Sequence, residues 1–140
     1  MATIKIIGEF DEFFVNNRDK EVLISYGGAG SGKSFSTAQN IILRALEESN
    51  KRILITRKTL PALRVSCLQL IKDLLNEYEI PYELNKSELE MRIGSNQILF
   101  KSLDNPEKIK SSEFNYIWAE EATELTHQDY LQLRLRLRRK

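Results

Sequence analysis

The sequence predicts an α/β fold, a mostly parallel sheet flanked by helices and carrying an inserted β-hairpin. Three observations predict it. A short apolar run at 21–26 leads through a glycine-rich segment into helical periodicity and then into a second apolar run at 52–56. A third apolar run, Tyr116–Ala119, ends on two acids. Runs this short and continuous suit strands buried on both faces, which occur in parallel sheets covered by helices.

Taken in order, Val22, Leu23 and Ile24 mark the first strand, Glu21–Tyr26. Ala38, Ile41, Ile42, Ala45 and Leu46 then recur at helical spacing, predicting a helix from about Gly32 to Ser49 that Asn50 closes. Ile53, Leu54 and Ile55 make the second strand, Arg52–Thr56, and complete a βαβ unit. Thr59 ahead of Pro61 starts a further helix, whose stripe Leu63, Leu68, Leu70, Ile71, Leu74 and Leu75 runs to about Tyr78 before Pro81 stops it. Between Tyr82 and Ser102 the period changes to two: Leu89, Met91 and Ile93 alternate with polar residues, Gly94-Ser95-Asn96 is turn material, and Ile98-Leu99-Phe100 favours a strand. That is a hairpin. Asp104-Asn105-Pro106 reads as a turn. Leu125–Leu137 supports two readings, because Leu131, Leu133, Leu135 and Leu137 have period two while the polar segment before them favours a helix.

A chain of 140 residues is one domain's worth, and 41% hydrophobic with 29% charged residues suits a folded core. Intrinsic disorder and a disulfide scaffold are excluded, the latter by a single cysteine, Cys67, which reads as a small core residue in a reducing compartment. The net charge of +1 hides an asymmetry. Arg134, Arg136, Arg138, Arg139 and Lys140 lie in the last ten residues without an acid, leaving 16 basic against 20 acidic residues in the first 130. No basic n-region with an apolar h-region opens the chain and no run approaches 18 apolar residues, so the expectation is a soluble, cytoplasmic protein with no membrane partner.

Gly27-Gly28-Ala29-Gly30-Ser31-Gly32-Lys33-Ser34, followed by Phe35, matches the pattern G-x-x-x-x-G-K-[ST] between a strand and a helix. This is the P-loop of nucleotide-binding α/β proteins. Glycines let backbone N–H groups converge on phosphate oxygens, and the helix adds the partial positive charge of its N-terminus. Lys33 can reach the β- and γ-phosphates of ATP, and the Ser34 hydroxyl can ligate Mg²⁺. At the end of the third strand, Glu120 is the candidate for the Mg²⁺ side and Glu121 for the base that orients the attacking water. The residues therefore predict a P-loop NTPase with ATP and Mg²⁺, catalytic Lys33 and Glu121, and metal ligands Ser34 and Glu120.

The combination of Tyr26–Ser34, Ile55-Thr56-Arg57-Lys58 and Tyr116-Ile117-Trp118-Ala119-Glu120-Glu121-Ala122-Thr123-Glu124-Leu125 resembles the large terminase subunit of tailed bacteriophages, ATP-driven motors that pump double-stranded DNA into a capsid. The resemblance covers essentially the whole chain. It implies the Gly27–Ser34 loop for ATP, Glu120 on the Mg²⁺ side and Glu121 as catalytic carboxylate. It also implies double-stranded DNA held by its backbone, a small terminase subunit and a portal as partners, a homo-oligomeric motor, and the host cytoplasm. Ala29 departs from the arginine that many members carry inside the loop. The family continues with a coupling motif, further ATPase sheet and a nuclease domain, so residues 1–140 correspond to the N-terminal part of the ATPase domain. Two other readings remain: a nucleotide-binding remnant without turnover, and a P-loop ATPase of the helicase or recombination type. Arg57 and Lys58 are expected either as solvated strand-end residues or as cations for phosphate, DNA or a neighbouring subunit's site. Arg64 has a weaker claim to such a role. His127 reads as an ordinary surface residue. Phe10, Phe13 and Phe14 are expected in the core or beside the adenine.

Overall fold

The structure is a computed structural model that describes residues 22–25, 33–104, 107–110, 112–121 and 124–137. Phe10, Phe13, Phe14 and the loop Gly27–Gly32 lie outside the described residues, as does the turn at Asn105-Pro106. The chain runs β1 (Val22–Ser25), α1 (Lys33–Glu47), β2 (Arg52–Arg57), α2 (Leu60–Leu63), a π-helical turn (Arg64–Leu68) and α3 (Gln69–Glu77). It continues through β3 (Glu83–Asn85), β4 (Glu90–Ile93), β5 (Asn96–Ser102), α4 (Glu107–Lys110), β6 (Tyr116–Glu120) and α5 (His127–Leu135).

Among the described residues, six strands form one sheet in the order β1-β6-β2-β5-β4-β3. The first four are mutually parallel, and β4 and β3 extend the sheet antiparallel. β6 fills the gap that the βαβ unit leaves between β1 and β2. The expected hairpin is thus part of the main sheet: β5 pairs with β4 on one edge and along the whole of Arg52–Arg57 on the other. Gly94, at φ 60°, turns the two-residue loop between Ile93 and Asn96, a conformation that suits glycine.

Burial on both faces explains the continuous apolar runs. Ile53, Ile55, Ile98, Phe100 and Trp118 pack on one face against Ala38, Ile41 and Ile42 of α1 and Ile71, Leu74 and Leu75 of α3. The alternate residues Leu54, Leu99, Ile117 and Ala119 pack on the other face with Ile109, Phe114 and Leu133. From Ser36 to Ile42 every residue of α1 is buried, although Leu46 of the predicted stripe is half exposed.

The helix boundaries follow local chemistry. Asn50 takes φ 58° after α1, and Asn96 reaches back to that helix end, donating to the carbonyls of Ala45 and Glu48 at 2.7 and 2.9 Å. These bonds satisfy carbonyls that a helix C-terminus leaves open. Thr59 caps α2 by accepting from the Ala62 N–H. The continuous helix expected from Thr59 to Tyr78 is interrupted by the π-helical turn, whose wider winding brings Ser66 and Cys67 toward the ends of β2 and β6. At 125–137 the helical reading holds: Thr126 and Asp129 form a reciprocal capping box, and α5 follows. Among the described residues, no helix is long and apolar enough to cross a membrane.

Candidate functional site

Glu120 and Arg57 lie where parallel strands end, the side of an α/β sheet at which ligands bind. Ser25, the last residue of β1, is the register partner of Glu120, the last residue of β6. The strand that precedes the glycine segment in the sequence therefore ends level with that acid, and the described residues resume with α1 at Lys33. Ser34 is half-buried on the first turn of α1 and Phe35 is exposed. Gly27, Gly28, Ala29, Gly30, Ser31 and Gly32 lie outside the described residues.

Glu120 is buried, and both its carboxylate oxygens are engaged. Arg57 Nη1 stands 3.5 Å from Oε1, and the Cys67 thiol donates to Oε2 at 3.2 Å. Arg57 can do this because Thr56 is the register partner of Ala119, which sets Arg57 beside Glu120 on the face covered by α1 and α3. Its Nε also meets Glu124 Oε1 at 3.2 Å, and Nη1 donates to Ser66 Oγ at 3.2 Å. Lys58 is bonded to Asp129 at 2.7 Å. Arg57 and Lys58, expected either at a solvated strand end or as cations for phosphate, DNA or a neighbouring subunit's site, each pair with acids of their own chain. Arg64 and His127 are exposed.

Cys67 is the core residue expected, but it also touches the site, which the sequence does not reveal. Burial, reinforced by the Glu120 carboxylate, holds its thiol far above the ordinary value, so it stays a neutral donor rather than a nucleophile. A signal does exist in the apolar stripe: Leu63 and Leu68 are five residues apart, a spacing that a π-helical turn accommodates and an α-helix does not.

Glu121 follows with φ 55°, a left-handed conformation that only a minority of non-glycine residues adopt. The Glu124 N–H closes the turn on the Glu121 carbonyl at 2.9 Å. Among the described residues, no three His, Cys, Asp or Glu side chains gather as a metal-holding group. The oxygens of Glu120 and Ser34 nonetheless suit Mg²⁺, a hard ion that takes one or two protein oxygens and keeps several waters.

Comparison with known proteins decides the family. The family model for the phage terminase large subunit matches residues 19–140. The chain belongs to the phage terminase large subunit family. Among relatives, the PBSX phage terminase large subunit of Bacillus subtilis (strain 168) is 32% identical over 139 residues, covering 96% of this chain and 32% of that protein. The chain thus spans about a third of the length of this terminase relative. The large terminase of a thermophilic bacteriophage, solved in complex with ATP-gamma-S, superposes with a TM-score of 0.70 at 17% identity, over 85% of this chain and 30% of that one. A mutant of the Thermus phage P74-26 large terminase ATPase domain gives 0.60 at 14% identity, over 82% and 55%. These structural likenesses establish the terminase ATPase-domain fold, a P-loop NTPase fold.

Proposed function

We propose that the chain binds and hydrolyses ATP as the motor domain of a terminase that packages double-stranded DNA. The observation that carries this reading is the register of Ser25 with Glu120, which sets an acid-tipped strand beside the strand that enters Gly27–Ser34. In this reading the loop and Lys33 hold the phosphates, Ser34 and Glu120 hold Mg²⁺, and Glu121 places the water for in-line attack on the γ-phosphate. The Mg²⁺ ion, when bound, supplies charge stabilisation to the phosphate oxygens. Lys33 adds a second positive charge there. Glu121 accepts the proton of the attacking water, and Arg57 pairs with the buried Glu120. Double-stranded DNA would be held by its backbone, within a homo-oligomer that works with a small subunit and a portal in the host cytoplasm.

The test measures binding of a fluorescent ATP analogue and phosphate release separately, with and without double-stranded DNA, on the wild-type chain and on Lys33→Ala. The expected result is measurable turnover in the wild type, with affinity and turnover both lowered at least about tenfold by the substitution. Unchanged affinity and turnover in Lys33→Ala overturn the reading. Binding without turnover in the wild type would instead make the chain a nucleotide-binding domain.

A further inference from the structure

Three side chains from two places in the sequence, Arg57 at the end of β2 and Ser66 and Cys67 on the π-helical turn, meet beside the acids after β6. Arg57 contributes one guanidinium that touches Glu120 on one side, through Nη1 at 3.5 Å, and Glu124 on the other, through Nε at 3.2 Å. Glu121 lies between these two acids in the sequence and takes φ 55°, a left-handed conformation. Ser66, on the π-helical turn, accepts from Arg57 Nη1 while its hydroxyl donates to the Ala62 carbonyl at 2.7 Å, so the arginine is anchored from behind. Cys67 holds the remaining oxygen of Glu120. The Arg57 side chain is only 20% exposed and that of Glu120 6%, so water screens this pair less than a surface ion pair.

We infer that Arg57 is a positioning residue that clamps the Glu120–Glu124 turn and so aims Glu121. The inference rests on the reading of Glu121 as the catalytic base. The planar guanidinium is suited to the task, because its fork of donors can serve two carboxylates at once in fixed geometry, whereas a lysine ammonium is a single point charge on a flexible stem. Nothing in this role requires Arg57 to touch the nucleotide. Its removal frees one end of the turn at Glu124 and leaves the Glu120 carboxylate with the Cys67 thiol alone among the contacts described above. Glu121 is then no longer constrained to its left-handed conformation, which is costly to hold without support.

The test compares the wild type with Arg57→Gln, Arg57→Lys and Glu124→Gln in two measurements. The first is limited digestion with a glutamate-specific protease, scored at Glu121 and Glu124 against Glu88, which lies in the exposed turn between β3 and β4. Arg57→Gln is expected to speed cleavage within 120–124 severalfold while Glu88 is cut at the wild-type rate, with Arg57→Lys intermediate. The second is steady-state ATP hydrolysis beside fluorescent-nucleotide affinity. Arg57→Gln is expected to lower kcat on the order of 100-fold, the loss that a misplaced group of about an ångström brings, with nucleotide affinity unchanged and partial recovery in Arg57→Lys. Equal cleavage of the turn in wild type and Arg57→Gln overturns the clamp whether or not the chain hydrolyses ATP. Unchanged kcat, or equal loss of kcat and affinity in both arginine variants, overturns the aiming of Glu121. A wild type that binds no nucleotide defeats the functional reading instead, and the digestion still decides the clamp.

Discussion

Glu121 holds a backbone conformation that costs a non-glycine residue of the order of 1–3 kcal/mol, and the structure sustains it at the end of a buried strand rather than in a free loop. Two substitutions separate the cost from the use. On the proposed reading, Glu121→Gln is expected to lower ATP turnover about 100-fold or more while nucleotide affinity and thermal midpoint stay within error, because only the group proposed to accept the proton is lost. Glu121→Gly is expected to abolish turnover to the same degree and to raise stability by up to about 1 kcal/mol, since glycine takes φ 55° without the clash of a Cβ. Calorimetric melting beside phosphate release checks both, and a glycine variant no more stable than the wild type would remove the argument from strain. The two acids were legible in the sequence because they follow an apolar strand. The partners of Glu120, Arg57 and Cys67, were not, because an ion pair between residues 63 positions apart and a thiol turned by a π-helical insertion depend on tertiary register.

At the scale of elements, α5 shows how a local signal decides between two periods. The leucines of 131–137 alternate as a strand would, yet Thr126 and Asp129 supply the start of a helix, and only Leu133 of Leu131, Leu133 and Leu135 is buried. The signal Thr-x-x-Asp was available in the sequence and outweighs three alternating leucines, since a capping box satisfies two backbone donors that a strand would not expose. Asp129 does double duty: it accepts from the Thr126 N–H at 3.0 Å and from Lys58 at 2.7 Å. Partial burial pushes its carboxyl up, but the bond from Lys58 and the bonds at Thr126 outweigh this and hold it below the ordinary value of 3.8. A carboxyl whose folded value is depressed contributes stability that is complete above its unfolded value and is lost as pH falls through the folded one. The attachment of α5 to β2 is therefore expected to hold at pH 5–7 and to weaken below about 3.8. Hydrogen exchange of α5 amides across that range, with Asp129→Asn as the variant that should lose this step and about 1 kcal/mol at neutral pH, is the measurement. A helix that opens at the same pH in both proteins would show that another group controls it.

Over the whole molecule, the sheet was the most legible feature, because strands with alternate residues in two cores must be apolar throughout, and only a covered parallel sheet demands that. The short β3, with exposed residues at both ends, lacked that pattern, and the addition of the hairpin to the edge of β2 depended on a pairing no local rule encodes. The two faces are covered unequally: the larger cluster lies under α1 and α3, the smaller under α4 and α5. On α5, Leu133 faces inward while Leu131 is 42% and Leu135 67% exposed. Residues four apart lie on one side of a helix, so these two leucines form a contiguous outward patch, beside a Tyr130 that is 37% exposed. Outward apolar side chains on one short helix favour association, because each leucine removed from water contributes about 1.5–3 kcal/mol when fully covered. The chain is therefore expected to associate reversibly as concentration rises, and the double variant Leu131→Lys/Leu135→Lys to weaken that association at least about tenfold. Both positions are outward on the helix, so the variant should keep the wild-type circular dichroism and thermal midpoint. Sedimentation velocity over a concentration series reads the outcome, and identical association of the two proteins would place the contact elsewhere on the surface.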